Sequence, residues 1–153
     1  MPKIETTMPE QINDKSAESN FIIRTFPVGP LQCNCSIIGD RLSGRALVVD
    51  PGGDADKILA LLKQLNLSVV AIIHTHAHLD HIFGLNYVAQ KYKVNVAMHP
   101  DSIDVLRSAP NQAELYGFNF TLGDYKIEII EEGDEVEFGM KALFVPGHVP
   151  GHL

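Results

Sequence analysis

The chain has no tryptophan and only two cysteines among its 153 residues. Cys33 and Cys35 are two residues apart on a strand-like segment, so their side chains point the same way, which is poor geometry for closing a disulfide between them. A disulfide framework is therefore not expected. Their expected role is as reduced, packed thiols, with a part in a metal site as the alternative reading.

Basic residues are scarce as well: 12 Lys and Arg stand against 19 Asp and Glu, a net charge of −7. That balance argues against the basic face of a nucleic-acid binder, and no nucleic-acid partner is expected. Long apolar runs are missing too. None approaches the roughly 20 residues needed to cross a bilayer, so no membrane association is expected. Met1 to Asn20 mixes Lys, Glu, Thr, Gln, Asn and Ser and carries no apolar core of a secretory signal. Residues 1–20 are read as a flexible tail and the location as cytoplasmic. There is no internal repeat or low-complexity segment. The hydrophobic fraction of 45% and charged fraction of 20% are those of a globular protein. The length suits one domain, read as residues 21–153.

After the tail, strand-like and helix-like segments alternate. Phe21 to Phe26 and Gln32 to Gly39 read as strands, and Asp40 to Gly44 as a polar hairpin turn. Ala46 to Val49 is a short continuous apolar run, as in a buried strand. Asp50-Pro51-Gly52-Gly53 breaks it. Asp54 or Asp56 is placed to cap a helix on which Ile58, Leu61, Leu62 and Leu65 share one face. Leu67 to Ile73 reads as the next buried strand, completing a strand–helix–strand unit. Leu85 to Tyr92 reads as a helix, Val94 to Met98 as a strand, and Ser102 to Arg107 as a short helix capped by Asp101. Ser108 to Leu122 reads as a long loop of the kind that often carries function. Lys126 to Ile130, Glu135 to Phe138 and Lys141 to Val145 read as strands.

Six of the seven histidines fall in two clusters. The first runs His74-Thr75-His76-Ala77-His78-Leu79-Asp80-His81 and is followed by Ile82-Phe83-Gly84. The second is Pro146-Gly147-His148-Val149-Pro150-Gly151-His152. Imidazole and carboxylate are the donors that borderline cations such as Zn²⁺ prefer. His76 and His78 are i and i+2 and share a face in extended backbone. Asp80 and His81 are adjacent and diverge, which suits two neighbouring cations better than one. His148, after a strand and a Pro-Gly turn, is placed to add a third imidazole. Three protein ligands and an open position would let a cation bring the pKa of water to about 7. Gly84 suits a tight backbone passage into the helix from Leu85. His74 reads as a strand-end or supporting group, His99 as an ordinary turn residue, and Asp50 as either a supporting carboxylate or a turn group. Glu128, Glu131, Glu132 and Asp134 read as a solvated face.

These residues resemble the metallo-β-lactamase-fold hydrolases, whose signature H-x-H-x-D-H-x-x-G is matched in full from His76 to Gly84. Pro146 to His152 is similar to the family's second motif, with Val149 in place of the usual Thr. Gln32 to Asp40 and Val48 to Gly53 resemble the small hydroxyacylglutathione-hydrolase (glyoxalase II-like) branch. The resemblance covers about Phe21 to Leu153. It implies an α/β (α+β) fold: the αββα sandwich of that family, here its N-terminal portion, with a mixed sheet and flanking helices.

It further implies that His76, His78 and His148 hold a first zinc, that Asp80 and His81 serve a second, and that Asp80 orients the attacking hydroxide. Asp50 would steady a loop or a ligand ring, and His152 is left without a metal. The cofactor implied is zinc, two per complete site, with iron or manganese as substitutes. The implied reaction is hydrolysis of a small-molecule thioester such as S-acyl-glutathione. Family members continue into a segment that supplies a bridging Asp and a last His. The chain is therefore expected to be truncated at its C-terminus, to hold the second metal weakly and to turn over little by itself. Two alternatives remain: a mononuclear iron persulfide dioxygenase on the same fold, and a non-catalytic metal-binding remnant. No oligomeric state follows from the resemblance.

Overall fold

A computed structural model describes residues 20–153. The expected tail lies outside the described residues except for Asn20, whose carbonyl accepts a hydrogen bond from the Arg41 N–H at 2.7 Å. The described chain builds a six-stranded sheet whose spatial order follows the sequence. β1 (Phe21–Val28), β2 (Cys33–Asp40) and β3 (Arg45–Val49) form an antiparallel meander. The β2–β3 turn is the polar hairpin read from the sequence. Gly44 N–H donates to the Asp40 carbonyl at 2.9 Å, and the Asp40 carboxylate accepts from the Leu42 and Ser43 N–H groups.

From β3 onward the sheet is parallel. α1 (Ala55–Gln64) links β3 to β4 (Ser68–Ile73), which runs beside it in the same direction. β5 (Val96–Met98) and β6 (Ile127–Ile129) extend the sheet, again in parallel. α2 (Leu79–Ile82) and α3 (Leu85–Tyr92) lie between β4 and β5, and α4 (Ile103–Leu115) follows β5.

Helix periodicity accounts for the packing. Ile58 and Leu62 of α1, Leu85, Val88 and Ala89 of α3, and Leu106, Ala109 and Ala113 of α4 are buried at i, i+3, i+4 or i+7 spacings. They form one core with Ile37, Val48, Ile72 and Val96 from the sheet. Each fully buried side chain of this size contributes about 1.5–3 kcal/mol. The intervening strand residues face the other way. Leu47, Ala71, Ile73 and Ala97 line a cavity of ≈ 520 Å³ closed by Glu128–Ile130 and Asp134–Phe138. A smaller cluster of Ala97, Ile130 and Ala142 sits on that side.

Three expectations are corrected. Asp54 stands at the N-cap of α1 but makes no side-chain cap. Its Oδ2 instead accepts from the Gly29 N–H at 3.0 Å, tying the helix entry to the β1–β2 turn. The segment read as a loop from Ser108 is largely helix, because α4 continues through Pro110 to Leu115. The ring forfeits one backbone hydrogen bond, but Leu106, Ala109 and Ala113 keep an apolar face on the core across it. The last two strands do not form. Residues 135–145 contribute a single bridge, Glu135 to Lys141, with a 3₁₀ turn at Glu137–Gly139 and Phe138 at φ 64°. Leu143, Phe144 and Val145 are exposed, and among the described residues no strand lies beside this apolar run to complete a ladder.

Candidate metal centre

The site forms where the parallel strands end, the usual position of a binding crevice in such sheets. β3 delivers Asp50 and β4 delivers the first histidine cluster. Because the two strands are parallel neighbours, Asp50 N–H donates to the Ile73 carbonyl at 3.0 Å and its side chain reaches the next turn of chain. Asp50 takes a left-handed φ of 51°, which Asp tolerates better than most residues. Its carboxylate accepts from the Thr75 N–H at 2.8 Å and from the Thr75 hydroxyl at 2.5 Å. His74 Nδ1 lies 3.3 Å and His81 Nδ1 3.1 Å from the same group. One buried carboxylate thus organises the whole loop.

α2 then turns Asp80 and His81 into the site, with the His81 N–H donating to the His78 carbonyl at 2.9 Å. The passage is tight. A Cβ on Gly52 would collide with the Asp80 carbonyl, and one on Gly84 would come within 2.8 Å of the Pro51 carbonyl. The Gly84 N–H also donates to that Pro51 carbonyl at 2.8 Å, so the close passage read from the sequence is present.

His148 arrives on the segment after Val145. That segment is closed on itself by the Val145 N–H donating to the His152 carbonyl at 2.9 Å, and is pinned beyond His148, where Leu153 N–H donates to the Thr75 carbonyl at 2.9 Å and the Ser102 hydroxyl donates to the Gly151 carbonyl at 3.1 Å. The rings of His76, His78 and His148 meet edge to face, with centroids 4.8–4.9 Å apart. One donor atom from each lies within 4.8 Å of the others. A second triad, Cys33, Asp80 and His81, and a third, Asp50, His76 and His81, meet the same spacing. The His152 ring sits 4.9 Å from His76 but joins none of these groups.

Electrostatics at His76 and His78 favour a cation. Burial, with the neighbouring His81 and His78, pushes His76 down to about 3, and burial with His148 lowers His78. Both rings are therefore neutral at physiological pH, the state that ligates. Burial also opposes charge on His81, but the Asp50 carboxylate 3.1 Å from its Nδ1 and the neighbouring Cys33 outweigh it and push that ring up to about 10. Burial likewise opposes charge on Asp50, yet His74, His81 and Thr75 hold its carboxyl below the ordinary range. His76 Nε2 is buried and has no hydrogen-bond partner, while the Thr75 hydroxyl lies 3.0 Å from its Nδ1. A buried ring nitrogen left unsatisfied is costly unless something absent from the chain satisfies it. A cation held by His76, His78 and His148 would do so, and the residues fit one.

Residues 28–153 match the profile of the metallo-beta-lactamase superfamily. The chain belongs to that superfamily. Among relatives within the superfamily, a probable metallo-hydrolase (YqgX) of Bacillus subtilis is 37% identical over 135 residues, covering 85% of this chain and 63% of its own. The hydroxyacylglutathione hydrolase GloC of Haemophilus influenzae is 30% identical over 138 residues, covering 86% and 64%. Among solved structures, TTHA1623 in a di-iron-bound form superposes with a TM-score of 0.74 at 30% identity over 84% of this chain and 64% of that one. The chain thus spans a little under two thirds of the length of these relatives.

The motif resemblance read from the sequence pointed to His76, His78, Asp80, His81 and His148, which the structure brings together. It does not account for three further residues the structure places around them. Ser102 anchors the His148 segment from the start of α4, and Thr75 bridges Asp50 and His76. Cys33 comes up beside Asp80 and His81 from β2. Ser102 and Thr75 carry no spacing signal in sequence, whereas Cys33 had one only as half of a cysteine pair.

Proposed function

We propose that the chain carries the metal centre of a hydrolase acting on small-molecule thioesters of the S-acyl-glutathione type, with zinc as the resident cation. The observation that carries this reading is the trio His76, His78 and His148, neutral in the first two and with a partnerless Nε2 on His76, converging at the end of the parallel strands. The likeness to the Haemophilus influenzae hydroxyacylglutathione hydrolase supports the substrate class.

A divalent cation held by His76, His78 and His148 would supply Lewis acidity toward a thioester carbonyl and would lower the pKa of water toward neutrality. The chain's own residues supply the rest. His78 and Asp80 form one wall of an apolar cavity of ≈ 400 Å³, whose other walls are Leu31, Leu79, Phe83, Tyr116 and Phe118. In this reading the cavity receives the acyl or thiol portion and excludes water around the carbonyl. Asp80, about a third exposed, has its Oδ2 3.5 Å from His81 Nε2 and faces the same cavity. Its carboxylate is placed to accept a proton from the attacking water. Tyr116 and Phe118 belong to the segment after α4, so part of the region read as a functional loop does border the site.

The test is release of free thiol from S-lactoylglutathione by the zinc-loaded chain. Slow, zinc-dependent turnover, abolished by a chelator and by His76→Ala, is expected. Absence of any zinc-dependent thiol release at full occupancy overturns the hydrolase reading.

A further inference from the structure

We propose that Cys33 is a metal ligand, and that with Asp80 and His81 it forms a second cation site whose three protein donors all lie within this chain. This rests on the reading of the site as a metal centre, though not on hydrolysis.

The geometry comes first. Donor atoms of Cys33, Asp80 and His81 lie within 4.8 Å of one another. Bonds of about 2.3 Å to sulphur and about 2.0–2.2 Å to nitrogen and oxygen set tetrahedral donors about 3.5 Å apart, so inward rotations of roughly 1 Å close the site. Cys33 is 5% exposed and opens β2, directly across the Asp50–Gly53 loop from Asp80. Gly52 separates them without a side chain: a Cβ there would touch both the Cys33 Cβ, at 3.1 Å, and the Asp80 backbone. The loop therefore lets the sulphur approach the carboxylate, and any larger residue at position 52 would hold them apart.

The partners are already oriented. His81 presents Nδ1 to Asp50 Oδ2 at 3.1 Å and turns Nε2 toward Asp80 Oδ2 at 3.5 Å. One nitrogen set against a buried carboxylate, with the other facing Asp80 and Cys33, is the arrangement that prepares a histidine for ligation. The Cys33 sulphur has no strong competing partner. Besides its contact with His81 it makes one long hydrogen bond, to the Asn34 carbonyl at 3.7 Å. The first cage is adjacent, with the His76 and His81 ring centroids 4.0 Å apart.

The chemistry is also consistent. Three donors with a fourth position open is the pattern of a catalytic cation site. A thiolate and a carboxylate together neutralise a divalent charge, which matters where water is scarce. Binding forms metal bonds to the Cys33 sulphur, the His81 nitrogen and an Asp80 oxygen, releases the thiol proton and the proton on the ligating His81 nitrogen to solvent, and changes no oxidation state. Thiolate selects zinc, cadmium or cobalt over magnesium and calcium. Cys35, two residues on, is fully buried in the main core and joins no donor group.

Cobalt(II) titration of the full 153-residue chain is the test. Two equivalents should bind, the second bringing a thiolate-to-cobalt charge-transfer band in the near ultraviolet. The band should persist in Cys35→Ala and vanish in Cys33→Ser. Two equivalents bound without the band refute the Cys33 site and leave the histidine cage standing, as does saturation at one. A band that survives Cys33→Ser also refutes it. No cobalt bound at all refutes both readings. Should Cys33→Ser fail to fold by circular dichroism, X-ray absorption of the zinc-loaded wild-type chain decides: one sulphur at about 2.3 Å supports the site, and a shell of nitrogen and oxygen alone overturns it.

Discussion

Asp50 Oδ2 lies 3.1 Å from His81 Nδ1, and the same carboxylate stands 3.3 Å from His74 and takes two hydrogen bonds from Thr75. A single buried side chain thereby links the end of one strand to both halves of the histidine motif on the next. Asp50→Asn keeps the shape and removes the charge. It should weaken zinc binding by about 10–100-fold, the usual cost of losing such a supporting partner. Competition with a chromophoric chelator measures this. Unchanged affinity would show that Asp50 serves only the turn.

His148 makes the opposite case, because its side chain is exposed and its backbone is held by neighbours on either side. His148→Ala should leave the far-ultraviolet circular dichroism and the metal-free Tm almost unchanged while removing tight binding at the first cage. A drop in metal-free Tm of more than a few degrees would show that the ring supports the fold.

Zinc should stabilise the chain in proportion to its occupancy. Free zinc at about 100 times Kd should add about 2.7 kcal/mol to the unfolding free energy, and a chelator should reverse the gain. A Tm independent of zinc would contradict a cage present in the folded state and absent from the unfolded one.

Without metal, stability should depend on pH on both sides of about 6.5. His76 falls from 6.5 to about 3 on folding, so the unfolded chain binds more protons in that window and stability is lost as pH drops through it. The lowered His78 adds to the same loss. His81 rises from 6.5 to about 10, so its contribution is complete below 6.5 and is lost as pH climbs toward 10. The metal-free Tm should therefore peak near neutrality. A Tm rising steadily from pH 6.5 to 10 would be inconsistent with the Asp50–His81 pairing.

Gly52→Ala is expected to be costly despite its small size, because the new methyl meets the Asp80 backbone and the Cys33 side chain together. Destabilisation toward the upper end of the about 1–3 kcal/mol typical of overpacking is expected, with weaker binding at the Asp80–His81 position. Urea unfolding and cobalt titration read the two effects separately. A neutral result would mean the loop can move freely away from α2.

The strand–helix–strand unit from β3 to β4 and the helix from Leu85 to Tyr92 could be read in the chain itself, because central strands covered on both faces leave continuous apolar runs and helices with one buried face follow the 3.6-residue period. The candidate donors were equally legible as a cluster, since His76, His78, Asp80 and His81 are packed into six positions and carry side chains able to ligate. What local pattern could not reveal was decided by contacts distant in sequence. Pro110 signals a break, yet α4 passes through it because Leu106 and Ala113 are held by the core. The apolar run after Lys141 suggests a strand, yet a strand exists only where a neighbour completes its ladder, and there one bridge forms. Asp50, Cys33 and Ser102 join the histidines only because parallel pairing of β3 with β4, and the turn at Gly52, bring chain segments some 25–50 residues apart to one point. Side-chain identity sets which donors exist, and the sheet alone sets which of them meet.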